Sequence, residues 1–162
     1  MHERGFTLIE LLAVLAILAV LLGIGTLDFS TMQKKYSVEK QTKELFTDIA
    51  DLRLKAIYTK RLHRVTIKTH GISCQSYSRE DEALANGTTV LSKSLKYAIR
   101  NKDGSSLPSS GVTIDFDFRG FTYDLTTIRV SSDTREAPFD CIIIANSRTN
   151  LGKMNGGTCD AK

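Results

Sequence analysis

MHERGFTLIELLAVLAILAVLLGIG, residues 1–25, decides how the rest of this chain is read. Between Phe6 and Leu27 the only charged residue is Glu10. As a helix that stretch would be roughly 33 Å long, enough to cross the hydrocarbon of a bilayer. An ionised side chain at such depth is costly, so Glu10 asks for a partner. The run is long and has no A-x-A exit, which favours a retained membrane-spanning helix over 6–27 against a cleaved secretory signal. Arg4 on one side faces Lys34 and Lys35 on the other, so charge alone assigns no orientation.

The remainder has a different character. The 162 residues are 41% hydrophobic and 25% charged, a globular balance. From Asp28 onward there are 21 basic and 16 acidic residues, a mildly basic domain over 28–162. From Phe29 to about Leu62 there is neither proline nor glycine. Leu45, Ile49, Leu52 and Ala56 recur there at helical spacing, widened by Phe46 and Ile57. The anchor and this amphipathic segment, about 28–62, are expected to form one long helix, with Gly23 and Gly25 as its weak point. Beyond it the period becomes two, predicting a β-sheet over about 64–162. Val65 and Ile67 open one strand, and ISCQSYS supplies a second. VTIDFDFRGFTYDLTTIRVSS predicts a hairpin turning at Gly120, with Ile114, Phe116 and Phe118 on its apolar face. FDCIIIANS adds a buried strand. The expected fold class is α+β, a long N-terminal helix packed on a C-terminal antiparallel sheet.

Cys74, Cys141 and Cys159 allow three pairings with one thiol left over. Cys141 with Cys159 is favoured because both lie near the chain end around an expected hairpin. Closing that loop contributes about 3 kcal/mol in the chain-entropy model. An anchor preceding the domain favours an oxidising compartment.

The GFTLIE of residues 5–10 resembles the processing site of type IV prepilins and type II secretion pseudopilins. The resemblance implies a leader, MHERG (1–5), cleaved between Gly5 and Phe6 by a prepilin peptidase, and N-methylation of Phe6. It also supplies a partner for Glu10, the Phe6 amine of a neighbouring subunit in a filament. The later strands resemble the C-terminal sheet of H-type minor pseudopilins and FimT-like minor pilins. The fold so implied is the pilin fold. The implied function is a structural or assembly subunit of a type IV pilus or type II secretion pseudopilus. Such a subunit sits in the inner membrane with its C-terminal domain in the periplasm before joining other pilins or pseudopilins. It is not an enzyme, and no cofactor is implied.

Two alternatives stand beside that reading. DNA-binding FimT-like pilins carry Gly-Arg-x-Arg, and the matching stretch here is Ser147-Arg148-Thr149-Asn150, which keeps one arginine. Arg148 and Lys153 are the candidate nucleic-acid contacts, able to reach phosphates. The other alternative is a plain single-pass anchored periplasmic domain with an uncleaved leader. Arg53, Lys55, Lys60, Arg61, His63 and Arg64 form a basic cluster, better explained as cations at a helix C-terminus. Asp115, Asp117 and Asp124 lack the compact oxygen run of a calcium loop, and Asp115 and Asp117 are expected to pair with Arg129 across the hairpin. No metal site is expected. His2, His63 and His70 fall into no catalytic motif.

Overall fold

The computed structural model describes residues 7–78, 86–130 and 137–162, with the side chains of 22–28 outside that description. The leader, Phe6, most of the REDEALANGTT turn and the end of TTIRVSS (Ser131, Ser132) therefore lie outside the described residues. The chain divides into two compact units, Met1–Lys34 and Lys35–Lys162. One helix, α1 (Leu8–Thr59), is followed by β1 (Leu62–Lys68), β2 (Gly71–Tyr77), β3 (Thr88–Ser94), β4 (Ile99–Asn101) and β5 (Val112–Phe116). Then come β6 (Thr126–Val130), β7 (Cys141–Ile144), β8 (Thr149–Asn155) and β9 (Thr158–Ala161).

From Leu8 to Leu21 α1 is apolar on every side apart from Glu10, and every described side chain from Thr7 to Leu21 is exposed. The helix assignment runs through Gly23 and Gly25. Among the described residues no helix is long and apolar enough to cross a membrane.

In the second unit α1 is amphipathic. Val38, Thr42, Leu45, Ile49, Leu52 and Ala56 are buried, spaced alternately by four and three residues along one face. Each fully buried Leu or Ile contributes roughly 1.5–3 kcal/mol relative to exposure. Thr42 satisfies its hydroxyl by donating to the Val38 carbonyl, 2.9 Å away. The helix stops at Thr59, three residues short of the expected end. Lys60 takes a left-handed conformation (φ 54°), and the Arg61 amide donates back to Ala56 at 3.3 Å. That six-to-one bond is a Schellman cap, made here without the usual glycine.

The strands form two antiparallel sheets, in the orders β3-β2-β1-β5 and β4-β6-β7-β8-β9. The helical stripe, Val65, Ile67, Ile72, Ile114 and Phe116 from the first sheet, and Ile99, Ile128, Val130, Ile142 and Ile144 from the second share one core. The α+β architecture with a long N-terminal helix on antiparallel sheet is as expected and fits the pilin fold.

The expected hairpin at Gly120 is not formed. β5 pairs with β1 and β6 with β7, so the intervening loop crosses from one sheet to the other. Ile114 and Phe116 are buried as expected, whereas Phe118 lies beyond the strand and is exposed. Gly120 has φ +82°, and a Cβ there would lie 2.7 Å from Ile57 Cδ1, so the loop is pressed onto the helix. Asp115 consequently cannot reach Arg129. It pairs instead with Arg64, its strand neighbour, through two bonds of 2.7 and 2.6 Å.

Candidate processing and assembly site

Thr7 immediately precedes α1, and its Oγ1 accepts the Glu10 amide at 3.3 Å. The Leu11 amide donates to the Thr7 carbonyl at 3.2 Å, the first turn of the helix. Thr-x-x-Glu ahead of an apolar run is the capping-box spacing, and Thr7 is its N-cap. The signal is legible in the sequence, where Thr7 stands three residues ahead of Glu10. A carboxylate in the first turn also meets the positive end of the helix dipole. Glu10 is exposed, beside Leu8 at 78% and Ile9 at 73% relative exposure. Gly5 and Phe6 lie outside the described residues. What can be described is a capped helix start carrying one carboxylate on an apolar surface.

In the second unit the basic cluster disperses into separate tasks. Arg53 is buried, with its guanidinium over the Phe116 ring, 4.8 Å from the centroid. Its Nη2 donates to the Ala145 carbonyl at 3.1 Å and Thr149 Oγ1 at 3.3 Å, and Nη1 to the Asn146 carbonyl at 3.4 Å. Burial lowers its pKa. It ties α1 to β5 and to the β7–β8 turn, a role that an arginine's usual surface preference conceals from the sequence. Arg64 is taken by Asp115, while Lys60 lends only its backbone to the helix cap. His63 is buried in β1, facing no surface. Burial pushes its pKa below the usual 6.5, further lowered by Lys55 and Arg61 and opposed by the Arg61 carbonyl, 3.2 Å from Nδ1. Only Lys55, Lys60 and Arg61 of the six remain exposed, around the end of α1.

Arg148 and Lys153 are not brought together. Arg148 is exposed in the turn between β7 and β8. Lys153 lies within β8, about 16 Å further along at strand rise. Lys153 stands opposite Asp160 in register, and its charge also lowers the Asp140 pKa against the larger, raising effect of burial. Asp117 organises its own loop, accepting the Arg119 and Phe121 amides at 2.9 and 2.8 Å, while Asp124 accepts the Asp115 amide at 2.8 Å. Among the described residues no group of three His, Cys, Asp or Glu side chains could hold a metal ion. That loop presents a feature unread in the sequence: Phe118, Phe121 and Tyr123 are exposed, with Arg119 over the first two rings. A groove of about 650 Å³ beside α1 is lined by Tyr36 and by charges already paired, Lys43 with Glu39 and Lys93 with Glu44 and Asp48.

Cys141 and Cys159 form a disulfide, and Cys74 is free. The bridge does not close a simple hairpin, because β8 runs between the two bridged strands. It passes over Gly152, where a Cβ would lie 2.6 Å from Cys159 Sγ and 2.6 Å from the Asp160 carbonyl oxygen. Cys74 is buried in the core, and burial pushes its pKa up to about 12, which keeps it an inert thiol.

The family comparison falls on the helix start. Residues 1–26 match the prokaryotic N-terminal methylation motif. The methylation motif takes in Gly5, Phe6, Glu10 and most of the apolar run, and supports a type IV pilin-like protein of the prepilin type. It ends before the two sheets begin. No curated protein and no solved structure gives a match.

Proposed function

We propose that this chain is a structural subunit, a minor pilin or minor pseudopilin of the H-type or FimT-like kind, in a type IV pilus or type II secretion pseudopilus. The single observation that carries the reading is the methylation motif over residues 1–26. A prepilin peptidase removes residues 1–5, and the new amine of Phe6 is methylated. Residues 6–27 hold the subunit in the inner membrane, with 28–162 in the periplasm. On assembly the apolar surface exposed along Leu8–Leu21 is covered by helices of neighbouring subunits. Glu10 then meets the Phe6 amine of a neighbour. In low dielectric such a pair is strong when made and costly when missing, so it sets register. The chain's only reaction is its own processing, as substrate.

The test is an intact mass of the protein from cells that contain the peptidase. The expected mass lacks MHERG and carries one added methyl group. A chain that keeps its first five residues overturns the reading and leaves a plain anchored domain. Crosslinked membranes then name the machinery, through recovery either with pilus subunits or with pseudopilins and a secretin. Nucleic-acid binding rests on Arg148 and is tested by a mobility shift at low salt, which Arg148→Ala would weaken.

A further inference from the structure

The last strand, β9, is held in a way that the rest of the second sheet is not. Among the described strands it pairs only with β8, from Gly152↔Ala161 to Asn155↔Thr158. Its residues Thr158, Asp160 and Ala161 are exposed and Cys159 is only half-buried, so β9 contributes nothing to the shared core. Ordering four residues costs conformational entropy, and apolar burial is what ordinarily compensates. Here backbone pairing, the Asn155 to Asp160 contact at 3.1 Å and the Thr158 hydroxyl on the Asn155 carbonyl at 2.8 Å are exposed and individually weak. The turn at Gly156 and Gly157, both with positive φ, suits a two-residue hairpin, but a hairpin strand without a buried face is marginal. The remaining tie is Cys159 to Cys141. Cys141 is fully buried at the start of β7, whose neighbours Ile142 and Ile144 belong to the core. The bridge therefore fastens a strand with no core of its own to one that is fixed, over a glycine that leaves it room.

We propose that β9 is a redox-gated sheet edge, closed over β8 while Cys141–Cys159 is oxidised and released when a dithiol reduces it. Cys159, half-buried where Cys141 is fully buried, is the more accessible point of attack. A dithiol thiolate bonds to Cys159 Sγ and expels Cys141 as thiolate, which takes up a proton. The second thiol of the reductant then closes its own disulfide and frees Cys159 as a thiol. Two electrons and two protons pass to the protein, and the reductant is oxidised. Release uncovers backbone donors and acceptors along β8 from Leu151 to Asn155, an open edge able to accept another extended strand. The inference concerns the second unit alone and holds whether or not the chain assembles into a filament.

Amide hydrogen exchange on the full chain in detergent micelles, with and without dithiothreitol, tests it. On reduction, exchange at Thr158–Ala161 and along the outer edge of β8 should accelerate about 100-fold, the scale of loop closure for a ring of this size. Amides of β1, β2, β6 and β7 should keep their protection. Cys159→Ser, without reductant, should reproduce the reduced pattern. Unchanged protection of β9 after complete reduction, verified by thiol labelling, overturns the proposal. So does loss of protection throughout both sheets together, which would make the bridge a staple of the whole domain.

Discussion

The two parts of α1 share a secondary structure and little else. From Leu8 to Leu21 the helix is apolar all round apart from Glu10, and exposed all round. From Val38 to Ala56 it is apolar along a single stripe, and that stripe is buried. A helix needs only one apolar face to dock on its own domain, and a helix that is apolar on every side is made for surroundings that the chain does not itself supply. The second part is explained by contacts within the molecule. The first is exposed, and under the proposed function a bilayer or other subunits cover it; this asymmetry is why the functional reading rests on the first while stability rests on the second.

The comparison breaks most easily by truncating one side chain in each part. Ile49→Ala should destabilise the domain by about 2–5 kcal/mol in denaturant unfolding followed by circular dichroism. Leu15→Ala should change the same transition by no more than about 0.5 kcal/mol. Equal effects would break the contrast between the two parts. Arg53→Ala should cost about 2–3 kcal/mol, because it removes the hydrogen bonds to the Ala145 and Asn146 carbonyls and to Thr149 together with a stacked, buried cation. Arg53→Lys should not restore the loss, since one ammonium cannot reproduce the fork.

A milder effect is expected from acid. His63 has a folded pKa below its unfolded value near 6.5, so the unfolded chain binds the extra proton first. Its contribution is complete above pH 6.5 and declines as pH falls from there toward the folded pKa. Unfolding midpoints measured from pH 7.5 to 5 should fall, and His63→Gln should flatten that slope. The smallest effect should come from Lys60→Gly, which relieves a left-handed backbone at the end of the second part and raises stability by up to about 1 kcal/mol. A loss on that substitution would show that the Lys60 side chain contributes more than its backbone strain costs.

The helical stripe was legible because its spacing is a property of nearby residues, and Leu45, Ile49, Leu52 and Ala56 are all where the pattern puts them. Strand positions were legible for the same reason. Strand partners were not. Alternation says which face of VTIDF is apolar but not that its neighbour is β1, and a glycine at 120 serves a hairpin and a crossover equally well. Arg53 escaped because only the assembled fold brings the carbonyls of residues 145 and 146 to it, more than ninety positions along the chain. At the helix start the motif was read from Gly5, Phe6 and Glu10, while Thr7 lay between them as an N-cap.

Arg53 has a consequence for environments that vary in acidity. Among the described residues its partners are neutral oxygens and a ring, with no carboxylate to take up a proton. The joint holds no acidic group whose protonation would undo it. The fastening of helix to sheet at Arg53 is thus independent of pH across the range in which surface ion pairs fail.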